Sequence, residues 1–429
     1  MRSRVAKLAF PLTLGVLADS LLSLAGLAVV SRISTEAVAA VGLSSYLFFV
    51  INAVLAIFMG GVMVVASQAL GGERVDVASE ATGEALGAAV VFSALLASTA
   101  PFWLNRYLLL VSGGNEAVAA WGYEYALMRM LSLPALALNA VVSSLYRSAR
   151  MPWPTALYSI ISSAAGAVLL PAFTFQLNMG LAGAGLATAI SSYTGFSAYA
   201  SARLPLPLRL KLPRRSGVKV LLLGLPSAAE RIVASVAQNV YLNAVARGGT
   251  AALAAHNIGI TVESLVFQPS FALSMAALVE AGRSVGASDS ESTSTIIVES
   301  VKVSAVWMGL ATTALVLASP FVSRVFTSDE SVAQLVMAYL LLAAASEVGL
   351  GVSQALFGAI RGMGSVWLPF VISSFTVVFL RALPAQLLSL RYGAIGAWVT
   401  QNTDMYGRAL LAYLAWKLLG ERRLARKVV

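Results

Sequence analysis

Five carboxylates, Asp19, Glu230, Glu263, Glu347 and Asp404, stand in stretches that are otherwise apolar. If those stretches cross a bilayer, each acid near mid-depth costs about 2.5 to 3.5 kcal/mol on insertion scales, so five of them require interior partners, water or a function. The chemistry open to such groups is ion exchange. Desolvation favours the neutral form of a carboxylate, which lets it take a proton from one side and release it on the other, or hold a sodium ion with neighbouring oxygens. It also attracts organic cations, so two cations can compete for one charge.

Sequence neighbours separate the five. Glu263 is the first candidate, because Thr261, Glu263 and Ser264 form a polar patch with no cation close in sequence. Pro269 follows and frees a backbone carbonyl one turn earlier, near Leu265. Asp19, beside Ser20 and Ser23, is an alternative ion ligand, so sodium could sit at Glu263 or Asp19. Glu347 follows Ser346 in an apolar run, and Glu230 could pair with Lys302, Arg129 or Arg381. Asp404 and Arg408, at i and i+4, read as an intrahelical ion pair. Gln238, Asn239, Tyr241 and Asn243 either line a cleft or hydrogen-bond between helices. His256 titrates near neutrality, but its place at the outer start of a helix reads as structural. Glu280 and Glu124 read as solvated near the membrane faces, and Trp103, Trp121, Trp153 and Trp398 as interfacial anchors.

The elements that must position these acids are membrane helices. Of the 429 residues 59% are hydrophobic and 11% charged, with a mean hydropathy of +0.83, whereas a soluble domain carries about 25% charge. Residues 43–70 and 304–322 are apolar all round, which argues helix rather than alternating barrel strand. The apolar run 8–30, although preceded by a basic start, contains Asp19 and reads as a retained first helix. Twelve spans result: 8–31, 37–69, 82–104, 117–146, 153–177, 181–202, 217–246, 252–282, 296–323, 331–359, 366–390 and 393–417. With both termini cytoplasmic, nineteen of the 29 Lys and Arg, including Arg2, fall on the inner side and five in the opposite loops. The net charge of +10 is therefore a topology signal rather than a nucleic-acid surface. No cysteine and a single histidine exclude thiol catalysis, iron–sulfur clusters and His-cluster zinc, and no phosphate loop or Ser/His dyad supports an enzyme.

The chain also repeats itself. At an offset of 215, Pro11, Ser20, Val30, Arg32 and Gly71 match Pro226, Ser235, Val245, Arg247 and Gly286. Further on, Asn115-Glu116 faces Asp329-Glu330, Arg150 faces Arg361, Ser162-Ser163 faces Ser373-Ser374, and Gly180 and Gly183 face Gly393 and Gly396. An even number of helices per copy makes the repeat parallel. The expected fold is an all-α polytopic membrane protein of 12 transmembrane helices in two pseudosymmetric six-helix lobes. Residues 1–200 form the first lobe, the basic, proline-punctuated 201–219 the interlobe linker, and 220–429 the second lobe with a basic tail. Two such bundles can rock about a central cleft, which is a route to alternating access and argues for transport.

Several motifs carry a resemblance. GGTAALAAHNIG (248–259) is similar to a Gly-(Ser/Thr)-x-x-(Leu/Val)-Ala-Ala-His signature, and ESLVFQPSFALSMAALVEAGRSVGA (263–287) to the eighth helix that follows it. RVFTSDESV (324–332) resembles a Phe-Thr-x-Asp turn, GAIRGMG (358–364) a Leu-Arg-Gly-x-Gly loop, and MGLAGAGLAT (179–188) the start of a sixth helix. Together they resemble the multidrug and toxic compound extrusion (MATE) family over nearly the whole chain, the eighth-helix segment being most similar to its DinF-like branch. The resemblance implies a secondary active efflux transporter, not an enzyme, that exchanges amphipathic, cationic organic compounds or lipophilic metabolites for protons or sodium ions. It implies no cofactor, no nucleic-acid partner, and a monomer in the plasma-membrane bilayer. A flippase for lipid-linked saccharides of the same superfamily is the alternative, and a membrane scaffold or enzyme a more distant one. Glu347 is the tenth-helix analogue of an acid many members carry, about one turn away. Two family acids are absent: Val-Asp-Thr of the first helix is Ala25-Gly26-Leu27 here, and Leu-Asp-Pro of the fifth is Leu169-Leu170-Pro171.

Overall fold

The computed structural model describes residues 3–325 and 329–429, and every regular element among them is helical. Arg2 and the Phe326, Thr327 and Ser328 of the RVFTSDESV stretch lie outside the described residues. The first half holds α1 (Arg4–Val30), α2 (Thr35–Gly71), α3 (Val75–Val111), α4 (Glu116–Met130), α5 (Leu133–Ser148), α6 (Pro152–Pro171), α7 (Gly180–Thr194) and the short α8 (Ser197–Ala200). The second holds α9 (Arg215–Ala246), α10 (Thr250–Gly286), α11 (Ser290–Val325), α12 (Glu330–Gly362), α13 (Trp367–Thr376) and α14 (Leu383–Leu424).

Among the described residues nine helices are long and apolar enough to cross a bilayer, ten when α4 and α5, bent by 46°, count as one. The ninth, residues 367–424, is 58 residues long and is interrupted by non-helical backbone at Gly393, while α7 and α8 are each too short to be counted among these. The protein is thus a multi-pass all-α membrane protein.

Local structure repeats along with the sequence. Matched Gly180 and Gly393 both take positive φ, at 55° and 56°, where a side chain would be strained. Matched Asn115 and Asp329 both cap helices, accepting from Val118 N at 3.1 Å and Ser331 N at 2.8 Å. The Ser331 hydroxyl, with the amides of Ser331 and Val332, holds the exposed Asp329 carboxyl below the usual carboxylate range. Both halves also carry a π turn in corresponding helices, Ala172–Gln176 after Pro171 and Val377–Ala382 before Pro384. Proline cannot donate to the carbonyl four residues back. In the second half that carbonyl, Leu380 O, instead accepts from the Thr403 hydroxyl at 2.6 Å.

The chain forms two compact units. One comprises Pro11–Ala66 and Arg74–Leu225. Its core gathers Val30, Ala40, Val118, Tyr125, Leu170 and Leu181, with α7 packed on α4 and α6. The basic stretch after α8 docks on α3: Lys211 N donates to Gly83 O at 3.1 Å. Buried Glu84 accepts from Arg214 N (2.7 Å) and Gly217 N (2.6 Å), which caps α9 at Arg215, so the last residues of the stretch are helical.

The other unit takes α1 as far as Phe10, Ser67–Glu73 and Pro226–Val429. Here α10 lies along α12, which also packs on α11 and α14. The ends of α2 and α10 cross at matched glycines: a Cβ on Gly71 would collide with the Arg283 carbonyl and one on Gly286 with the Gln68 carbonyl.

Candidate functional site

Each of the five acids has a defined surrounding: one pairs within its own helix and two join helices. Asp404 takes Arg408 Nε and Nη2 at 2.7 Å each, one turn apart on α14. Glu230 on α9 pairs with Arg361 at the end of α12, not with Lys302, Arg129 or Arg381. Arg361 lies in the last turn of α12, which packing carries to α9, a contact no local pattern announces. Asp19 accepts from Ser159 (3.0 Å) and Ser163 (3.2 Å) of α6, and the charge of Arg147 at the end of α5 also acts on it. Its sequence neighbours turn elsewhere, since Ser20 donates to Val16 O and Ser23 to Asp19 O.

The remaining two acids converge. Glu263 on α10 is 5% exposed, and both of its oxygens accept: Oε2 from the Tyr339 hydroxyl and Oε1 from Gln401 Nε2 at 2.5 Å. Both carboxyl oxygens thus act as acceptors towards these donors. Gln401 Nε2 also reaches Ser346 Oγ (3.1 Å), and Gln401 Oε1 accepts from Arg381 Nη2 (3.1 Å). Glu347, beside Ser346 on α12, is 0% exposed, and neither oxygen receives a protein donor. What faces it is the Glu263 carboxylate. A buried polar atom without a partner calls for a bound water, ion or proton.

Arg381 is fixed by the π turn that carries it. It is 9% exposed, with its guanidinium 4.4 Å above the Tyr241 ring. The repeat gives the pair a meaning. In the register of the matched serines Leu170 corresponds to Arg381, and at the offset of 215 Gly26 corresponds to Tyr241. In the first half a Cβ on Gly26 would touch only Leu170, at 3.8 Å. The two positions thus face each other in both copies, apolar in one and a cation–π pair in the other.

Other expected roles change in the structure. His256, in the second turn of α10, is buried rather than at a polar edge, ring to ring with Tyr339 (5.1 Å) and Tyr241 (5.8 Å). Trp398 is no interfacial anchor, since α14 carries it into the same aromatic core, 5.4 Å from Tyr339. Glu280 is buried rather than solvated, on the stretch of α10 that packs against α12, whereas Glu124 is exposed. The hydroxyls of Thr261 and Ser264 donate back to Asn257 O and Thr261 O of their own helix. Gln238 is half-buried and Asn243 exposed. Sequence reasoning missed Tyr339 and Gln401. The polar run Thr400-Gln401-Asn402-Thr403 inside an apolar span was the available signal for the second, and the repeat register for Arg381.

The MatE family profile matches residues 11–172 and 226–386, one stretch in each half. The chain is 27% identical, along 96% of its length, to a probable multidrug resistance protein NorM of Thermotoga maritima, covering 92% of that protein. It superposes with a TM-score of 0.92 on the outward-facing conformation of a multidrug resistance MATE family transporter of the MOP superfamily, at 19% identity over 98% of this chain and 96% of the other. On the Vibrio cholerae MATE transporter VcmN the TM-score is 0.91, at 20% identity over 98% of both chains. At those identities the structural likeness speaks for the fold.

Proposed function

The chain belongs to the MatE family of multidrug and toxic compound extrusion transporters, and we propose that it exports amphipathic, cationic organic compounds in exchange for protons or sodium ions, with Glu263 and Glu347 as the exchange site. The observation that carries this reading is the Glu347 carboxylate, fully buried, without a donor and facing a second acid. Charge counting supports a single monovalent ion. The carboxylates of Glu263, Glu347 and Asp404 stand against the guanidiniums of Arg381 and Arg408, which leaves one negative charge for one cation to neutralise. Emptying the site restores like-charge repulsion, and that free energy is available to drive the change of access.

In this scheme the roles of Asp19, Glu230 and Asp404 are structural, and Glu263 is held while Glu347 is loaded. Residues 1–200 and 220–429 act as the two lobes and 201–219 as their link. The nineteen inner-side cations favour a plasma-membrane orientation with both termini cytoplasmic. The Glu263 to Ala287 segment favours the DinF-like branch.

The test is efflux of a fluorescent organic cation from reconstituted liposomes, under a pH gradient and separately under a sodium gradient. Efflux that follows one gradient and is lost in Glu347→Gln supports the assignment. Efflux unchanged in that variant removes the site from the cycle.

A further inference from the structure

The Gln401 amide can present either its oxygen or its nitrogen to Glu263, and Arg381 decides which. A guanidinium has donors and no acceptor, so Gln401 turns Oε1 to Arg381 Nη2 at 3.1 Å. Its Nε2 is thereby aimed at Glu263 Oε1 (2.5 Å) and Ser346 Oγ (3.1 Å). Arg381 has little freedom to relax this, being buried in the π turn over the Tyr241 ring.

We infer that Arg381, acting through the orientation of Gln401, makes the exchange site selective for protons over sodium, an inference that rests on the ion-exchange reading above. A sodium ion needs several oxygens converging with lone pairs free, as hard cations do. Around Glu347 those oxygens each carry a donor already, which leaves fewer lone pairs than a sodium ion needs. Glu263 spends one on the Tyr339 hydroxyl and the other on the Gln401 amide. Ser346 accepts from Gln401 and donates to Ala343 O at 2.7 Å. A proton needs only one oxygen, and Glu347 supplies two without donors. The other charged or titratable groups around the pair do not add a ligand. Asp404 is bound by Arg408, His256 is held between Tyr241 and Tyr339, and Arg381 repels a cation. Arg381 is accordingly a positioning residue for the exchange.

The experiment compares the wild type, Arg381→Met and Arg381→Lys in liposomes, with ethidium efflux read under a sodium gradient at equal pH and under a pH gradient without sodium. In Arg381→Met the amide is free to turn and joins its oxygen to those of Glu263, Glu347, Ser346 and Tyr339. Lysine also has donors only and keeps the amide as it is. Expected is efflux in the wild type and Arg381→Lys that answers to the pH gradient alone, while Arg381→Met gains a sodium response about tenfold above wild type. A sodium-driven wild type overturns the inference and leaves the transporter reading standing. So does an Arg381→Met protein that is monodisperse, binds ethidium and ignores sodium. Should that variant fail to fold, equilibrium binding of radioactive sodium to the wild type in detergent decides: no saturable binding at millimolar sodium supports proton selectivity, saturable binding refutes it. No wild-type efflux under either gradient strikes the transport reading itself, and the sodium-binding measurement still judges the selectivity.

Discussion

Replacing Glu347 with glutamine should stabilise the protein while disabling it. Glu347 faces Glu263 and neither of its oxygens receives another side chain's or the backbone's donor, so two charges there would repel. At contact distance two like charges repel by about 4 kcal/mol at an effective dielectric of about 20. Glutamine has nearly the same volume, leaves no cavity and offers an N–H to Glu263, a bond to a charged group that is worth about 1.5 to 3 kcal/mol. A proton on the wild-type pair already relieves part of the repulsion, so the net gain falls below the sum of these, at about 1 to 3 kcal/mol. At about 2 to 4 °C per kcal/mol the melting temperature in detergent should rise by several degrees. Proton-driven efflux should fall at least about a hundredfold, the loss typical of removing a group that must gain and release a proton. Thermal unfolding and liposome efflux on the same preparation read both quantities. A lower melting temperature together with intact efflux would refute the account of this site.

Arg408→Met strands the fully buried Asp404 carboxylate and should cost about 3 to 5 kcal/mol in thermal unfolding, most of it restored by adding Asp404→Asn. Glu84→Leu leaves the amides of Arg214 and Gly217 without their acceptor; about 1 to 3 kcal/mol each, a drop in melting temperature without a change in ion preference is expected. Gly286→Ala forces a methyl onto the Gln68 carbonyl and should cost about 1 to 3 kcal/mol, whereas Gly42→Ala, with open space around it, should be nearly neutral by the same melting assay.

The parts of this molecule readable in its sequence are those set by nearest neighbours or by repetition. Apolar length marks the spans, the i, i+4 spacing marks Asp404 with Arg408, and the repeat register anticipates the shared φ of Gly180 and Gly393 and the shared caps at Asn115 and Asp329. The site is of the other kind. Glu263, Glu347, Arg381 and Gln401 come from α10, α12, the second π turn and α14, and only packing joins them. Glu230 meets Arg361 across 131 residues for the same reason. His256 and Trp398 lie deeper than their sequence positions suggest, because residues that suit an interface also suit an aromatic core once a helix runs deeper than its polar end suggests.

Three of the four unit boundaries fall inside α1, α2 and α9, the fourth between α2 and α3, and none in the basic stretch that joins the halves. Each half of the sequence thereby lends chain to the unit built mainly from the other: α1 as far as Phe10 and Ser67–Glu73 in one direction, Arg215–Leu225 in the opposite one. The two copies of one facing pair, Gly26 with Leu170 and Tyr241 with Arg381, put different chemistry at the same place of the repeat, which a single chain with two separately encoded halves permits.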